Sequence, residues 1–178
     1  MAYTKFLSRT THSFSKFLAI GAGGSLFLIF AIIFINSVRR YSFGESLEWG
    51  EELPVFLSIY GVMFGAAWGY LKDKHVKFTM VISYLPKRIL NQLNYLSDAL
   101  VILIGVLLTY SGYQFAIKRG GIESPGLVNL SFDLSEKFGI EWLINFGQMF
   151  PYQLAISIGG FLILTAALLR LLNRLNGN

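Results

Sequence analysis

Four stretches of this chain, 17–38, 53–71, 99–117 and 150–169, contain no Asp, Glu, Lys or Arg. At about 1.5 Å of rise per residue, each is long enough to cross a hydrocarbon core of about 30 Å. They are apolar all round rather than along one stripe, the pattern of a helix in lipid and not of one resting on a soluble core. The expectation is an all-α integral membrane protein: four transmembrane helices over those stretches, one membrane domain over 1–178, and short interfacial amphipathic segments between spans. The emptiness of the runs matters as much as their length. Proteins that move ions or carry out redox chemistry within a bilayer carry ionisable residues or metal ligands there. A chain without them is suited to sit in the membrane and hold something.

Composition narrows the chemistry further. There is no cysteine, which removes disulfides, thiol relays, iron–sulfur ligation and cysteine-based zinc sites. Both histidines, His12 and His75, lie outside the runs, whereas haem or quinone chemistry calls for histidines within the helices. No cofactor, no metal site and no catalytic residue is expected. The net charge of +5 sits in short clusters beside the runs, where it meets anionic headgroups rather than nucleic acid.

Lys5, Arg9 and Lys16 precede the first run in the manner of a signal peptide. The run is too long for a signal h-region and no small-residue cleavage pattern follows it, so an uncleaved anchor is expected. Orientation follows from the flanking Lys and Arg. The tails and the second connection hold Lys5, Arg9, Lys16, Lys72, Lys74, Lys77, Lys87, Arg88, Arg170 and Arg174. The opposite side holds Arg39, Arg40, Lys118, Arg119 and Lys137. Both termini are therefore expected in the cytoplasm, with Asp98 at the cytoplasmic entrance of the third span.

Within the spans, Gly21, Gly23 and Gly24 suggest a close-packed start to the first. The second carries the clearest packing signal: Gly61, Gly65 and Gly69 recur every four residues, with Ala66 and Ala67 alongside. Small residues let helix backbones approach closely in lipid. That face packs either on another span of this chain or on a partner subunit. Trp49 suits the interface, as do Trp68 and Trp142. Glu51-Glu52-Leu53-Pro54 reads as a helix entrance, acids being favourable and proline tolerated in a first turn. Arg40 with Glu51 and Glu52 forms a candidate interfacial polar cluster. The stretch 78–85 reads as an amphipathic segment in the interface, with His75 a structural residue at headgroup level. The connection 118–149 begins with turn signals, Gly120-Gly121 and Ser124-Pro125-Gly126, and its later aromatics suggest a short interfacial helix leading into the fourth span. No internal repeat or broken helix is visible, which argues against an autonomous transporter core. Ser58, Ser111 and Ser157 fit bonds to helix carbonyls better than nucleophilic roles, and no pairing of base with nucleophile supports an enzyme.

One region is more specific. RYSFGESLEWGEELP followed by GVMFGAAWGYLKDKHV resembles the small membrane subunit of tripartite ATP-independent periplasmic (TRAP) transporters. The matching residues are Arg40, Tyr41 and Phe43; Leu47, Trp49, Glu51 and Glu52; Gly65, Ala66 and Ala67; and His75 with Val76. Ser124-Pro125, Trp142 and Pro151 are similar to the family's approach to its last span. Phe78-Thr79 replaces the Val-Asp common after the histidine, and Pro54 stands where many members carry an ordinary helix former. The resemblance implies a bacterial inner-membrane protein that braces a large multi-span subunit. That subunit would import an organic acid anion (a four-carbon dicarboxylate, sialic acid or a similar carboxylate) by sodium-coupled symport with a periplasmic substrate-binding protein. The alternative is a stand-alone oligomeric four-helix small exporter, which needs an acidic residue within a helix; its candidate is Asp98, at the end of the third span.

Overall fold

The charge-free runs lie inside helices longer than themselves. The computed structural model describes residues 2–72 and 86–176; His75 and the expected segment at 78–85 lie outside the described residues. Five α-helices are found among those described: α1 (Ala2–Phe43), α2 (Trp49–Leu71), α3 (Lys87–Arg119), α4 (Pro125–Phe138) and α5 (Phe150–Leu175), with a 3₁₀ turn over Glu141–Gly147. Helices α1, α2, α3 and α5 are long and apolar enough to cross a membrane.

The helix bounds differ from the run bounds for a simple reason. Charge marks where a helix leaves the hydrocarbon, not where it stops. The 42 residues of α1 reach about 63 Å at about 1.5 Å per residue, roughly twice the hydrocarbon thickness. Neither Gly nor Pro interrupts residues 2–16, so the basic tail continues the helix. Helix α3 likewise starts well before its apolar run. True stops come at Gly44, with φ +74°, and Gly139, with φ +67°. A side chain disfavours this left-handed conformation, which glycine adopts freely at a helix C-terminus.

The third connection also departs from expectation. Ser124-Pro125-Gly126 opens helix α4 directly, with Pro125 at its start, where the missing N–H costs nothing. Trp142 and Phe146 fall on the 3₁₀ turn instead of on a helix. Pro54 lies in the second turn of α2, because the helix begins at Trp49. There it removes the backbone bond that would reach back to residue 50.

The four long helices stand side by side in the order α1, α2, α5, α3. Helices α1 and α2 are antiparallel. Phe64 lies over Gly21, and a Cβ added at Gly61 would stand 3.2 Å from Ser25 Cβ. Their short turn is stitched by Asn36 Oδ1, which accepts the Leu47 N–H at 2.7 Å. Helices α3 and α5 form the tightest seam. A Cβ added at Gly160 would lie 2.5 Å from the Thr109 backbone nitrogen, one at Gly112 2.6 Å from that of Ser157, and one at Gly105 2.9 Å from that of Leu164. Ser157 Oγ donates across the seam to the Thr109 carbonyl at 2.8 Å. Ser58 donates to the Val55 carbonyl of its own helix, so both serines are occupied as expected.

The two hairpins join where α2 runs parallel to α5. Gly159 meets Met63, Phe56 stacks on Tyr152 with ring centroids 4.8 Å apart, and Leu18, Ala67, Leu71, Leu162, Ala166 and Ala167 bury one another. Helices α1 and α3 occupy the two edges, with no substantial packing between them. The result is a row one helix thick rather than a closed bundle. Its apolar side chains, Phe27, Phe30 and Phe34 among them, face outward on α1. Both termini emerge at the same end of the row.

Candidate functional site

Polar side chains gather at the two ends of this row, and each cluster fastens elements that the apolar middle alone would leave sliding. At the end carrying the termini, Asp98 of α3 is completely buried. Arg174 Nη1 stands 2.9 Å from Asp98 Oδ2, in ion-pair contact though not aligned as a hydrogen bond. Arg170 Nε lies 3.7 Å from Oδ1, and the Tyr70 hydroxyl donates to Oδ1. Arg170 also donates from Nη1 to the Tyr70 carbonyl at 3.1 Å, and its guanidinium sits 4.6 Å from the centroid of the Tyr70 ring. Helices α2, α3 and α5 thus meet on one carboxylate. Just beyond, Asn173 Nδ2 donates to Thr11 Oγ1 at 3.1 Å, bringing in α1. Taking a carboxylate out of water costs several kcal/mol, which only close counter-charges and hydrogen bonds offset.

At the opposite end, α4 is tied to the start of α2. The Ser124 hydroxyl donates to the Glu52 carboxylate, and Asn129 Nδ2 donates to that of Glu48 at 2.7 Å. Gly126 lies so close that a Cβ there would stand 2.7 Å from the Glu48 carbonyl oxygen. Glu52 lies beside the first turn of α4, the positive end of that helix dipole. The base of the excursion is closed by backbone bonds: Ser124 N–H to the Gly147 carbonyl at 3.1 Å, Met149 N–H to that of Ile122 at 2.8 Å, and Phe150 N–H to that of Gly120 at 3.0 Å. Beneath α4 an apolar cavity of about 450 Å³ is lined by Leu53, Leu57, Leu134, Phe146 and the two tyrosines Tyr60 and Tyr152. Tyr152 donates to the Phe146 carbonyl at 2.9 Å and Tyr60 to that of Pro151.

The residues singled out from sequence fall in several places. Gly61 packs on α1, whereas no described residue lies within 4 Å of a Cβ built at Gly65 or Gly69; Ala66 between them is half-buried. Among the described residues, only part of that face is therefore used. Gly23 and Gly24 are likewise open, so the close-packed start of the first span rests on Gly21 alone. Trp49 is half-buried, Glu51 exposed, and Tyr41 90% exposed. Arg40 is exposed and does not meet Glu52: the carboxylate turns to Ser124, and it is Arg39 that reaches an acid, Glu45, at 3.7 Å. Such an exposed pair is worth about 0–1 kcal/mol. The expected Arg40–Glu51–Glu52 cluster is replaced by a Glu48–Glu52–Ser124–Asn129 cluster, because α4 docks on the α2 entrance and supplies donors closer at hand.

The Asp98 cluster was missed in the sequence, although a signal for it exists. Asp98 immediately precedes the third run, while Arg170 and Arg174 follow the fourth at a spacing of four. Residues four apart share a helix face, and antiparallel neighbours place these groups at one depth. The arrangement has the chemistry of a fastener: one buried carboxylate held by a tyrosine hydroxyl and two guanidinium groups.

The sequence profile of the family described as "Tripartite ATP-independent periplasmic transporters, DctQ component" matches residues 29–177. Among curated proteins, a TRAP transporter small permease protein of Haemophilus influenzae is 31% identical over 75 residues, covering 42% of this chain and 47% of the relative. The C4-dicarboxylate TRAP transporter small permease protein DctQ of Vibrio cholerae is 25% identical over 105 residues, covering 59% of this chain and 44% of the relative. The matches thus span less than half the length of each relative.

Proposed function

This chain belongs to the DctQ component family of tripartite ATP-independent periplasmic transporters, and we propose from this that it braces the large membrane subunit of such a transporter. The observation that carries the proposal is the one-helix-thick row, fastened at both ends and leaving an open small-residue surface at Gly65 and Gly69. A brace needs close packing and apolar area but no relay residues. The charge-free spans meet that requirement.

On this reading the large subunit holds the substrate and sodium sites, and a periplasmic binding protein delivers the anion. The relative in Vibrio cholerae is described as a C4-dicarboxylate transporter component, which favours a four-carbon dicarboxylate over sialic acid here. The excess of Lys and Arg on the tails and the second connection supports cytoplasmic termini in a bacterial inner membrane. The stand-alone exporter loses its one candidate acid, since Asp98 is engaged by two arginines and a tyrosine.

Co-expression with the large subunit encoded in the same genome tests the proposal. A tag on this chain is expected to retain the large subunit through detergent extraction and size exclusion. Elution of the two as separate species contradicts it.

A further inference from the structure

We propose that Asp98 is a positioning residue: it holds the C-terminal end of α5 on α2 and α3, so that two hairpins behave as one plate. The inference rests on the bracing role for its functional consequence, though not for its structural claim. The topology explains why a latch is needed here. The α1–α2 and α3–α5 hairpins are each tightly packed internally, but between them only α2 and α5 pack extensively; α1 touches α5 lightly near Thr11 and Asn173. Off the α2–α5 line, rotation is resisted at the far end by α4 docked on α2, and at the end carrying the termini the α1–α5 contact is light. Two parallel apolar helices in lipid also gain little free energy from one particular register, because lipid solvates their side chains as well as a neighbour does.

Asp98 supplies a strong constraint at the end carrying the termini. It projects from α3 and is completely buried, yet its partners come from both other helices: Tyr70 from α2, Arg170 and Arg174 from α5. Arg170 additionally holds the α2 backbone at the Tyr70 carbonyl and lies over the Tyr70 ring. These contacts are directional. The hydrogen bonds weaken steeply when bent or stretched, and the ion pairs draw both arginines to one buried carboxylate, whereas the apolar packing beside them favours no direction. The group therefore fixes one angle between hairpins where apolar contact permits many. A plate of fixed shape can hold a partner still while that partner moves its substrate.

The absence of native cysteine makes the test direct. A pair introduced as Leu71→Cys and Ala167→Cys, both within the buried α2–α5 cluster, reports hairpin register through a short bifunctional thiol reagent. The wild-type background is expected to crosslink efficiently, and Asp98→Asn at least fivefold more slowly. Arg174→Gln keeps Arg170 beside the carboxylate and is expected to fall between the two, with circular dichroism of each variant in detergent separating slower crosslinking from loss of fold. In the assembled transporter, Asp98→Asn lowers the maximal uptake rate about tenfold and leaves the half-saturating substrate concentration unchanged. Closing the thiol pair then restores most of the rate. Restoration by a crosslink distinguishes positioning from a chemical role for the carboxylate. Unchanged crosslinking in both variants overturns the latch. So does a loss of uptake that the crosslink fails to restore. A transporter lacking this chain is assayed in parallel: if it takes up substrate fully, bracing fails, and the crosslinking rates alone decide whether Asp98 latches the hairpins.

Discussion

Gly160→Leu is expected to be the most damaging single substitution in the chain. Helices α3 and α5 approach so closely there that even the first side-chain carbon would lie 2.5 Å from the Thr109 backbone nitrogen. Backbone cannot turn aside as the end of a flexible side chain can, so the helices must separate. Separation costs the seam its contacts at Gly112 and Gly105 and the Ser157–Thr109 hydrogen bond. Overpacking costs about 1–3 kcal/mol where neighbours can shift, and more where they cannot; for leucine here about 3 kcal/mol or more is expected. Thermal unfolding of the purified chain in detergent measures it. Gly23→Leu, at a position with open space around it, serves as the control and is expected to leave the unfolding temperature unchanged. Equal effects of the two substitutions would mean that the seam is not the main support of the second hairpin.

Gly65→Leu with Gly69→Leu should produce the opposite pattern. Neither position has a described residue within 4 Å of an added Cβ, so the isolated chain is expected to fold and melt as the wild type does. On the bracing account, this face receives a helix of the large subunit, and two leucines hold that helix away. Recovery of the large subunit with tagged small subunit is expected to fall at least tenfold. Gly61→Leu marks the boundary between the two behaviours. It meets Ser25 across the α1–α2 contact and is expected to lower the stability of the isolated chain. Full recovery of the complex by the Gly65/Gly69 variant would remove that face from the interface.

The sequence made the spans legible because lipid imposes a strong rule: backbone polar groups must be satisfied within the span, and side chains must be apolar for about 20 residues. The helix ends were less legible. Basic tails continue as helix into the headgroup region, so α1 and α3 overrun their charge-free runs by a dozen residues or more. The glycine stripe on α2 was conspicuous by its regular spacing, yet the closest backbone contacts involve Gly105, Gly112 and Gly160, whose partners lie on another helix. No periodicity within one segment reveals a register between two. Asp98 illustrates the same limit. It stands beside a span as any headgroup-level acid would, and only the antiparallel placement of α5 turns it into a buried ion pair with Arg174. Glu52 was recognised as belonging to a helix entrance, but its partner depended on where α4 folds back. Local pattern gave the elements; contacts between distant segments decided what each charged residue does.

The central claim is that transport chemistry belongs to a partner that cannot work without this brace. Sodium-driven uptake into proteoliposomes tests it most directly, with the large subunit and its periplasmic binding protein present and this chain either included or omitted. The account predicts uptake only when the chain is included, and none from the chain by itself. Uptake at the full rate without it would contradict the account.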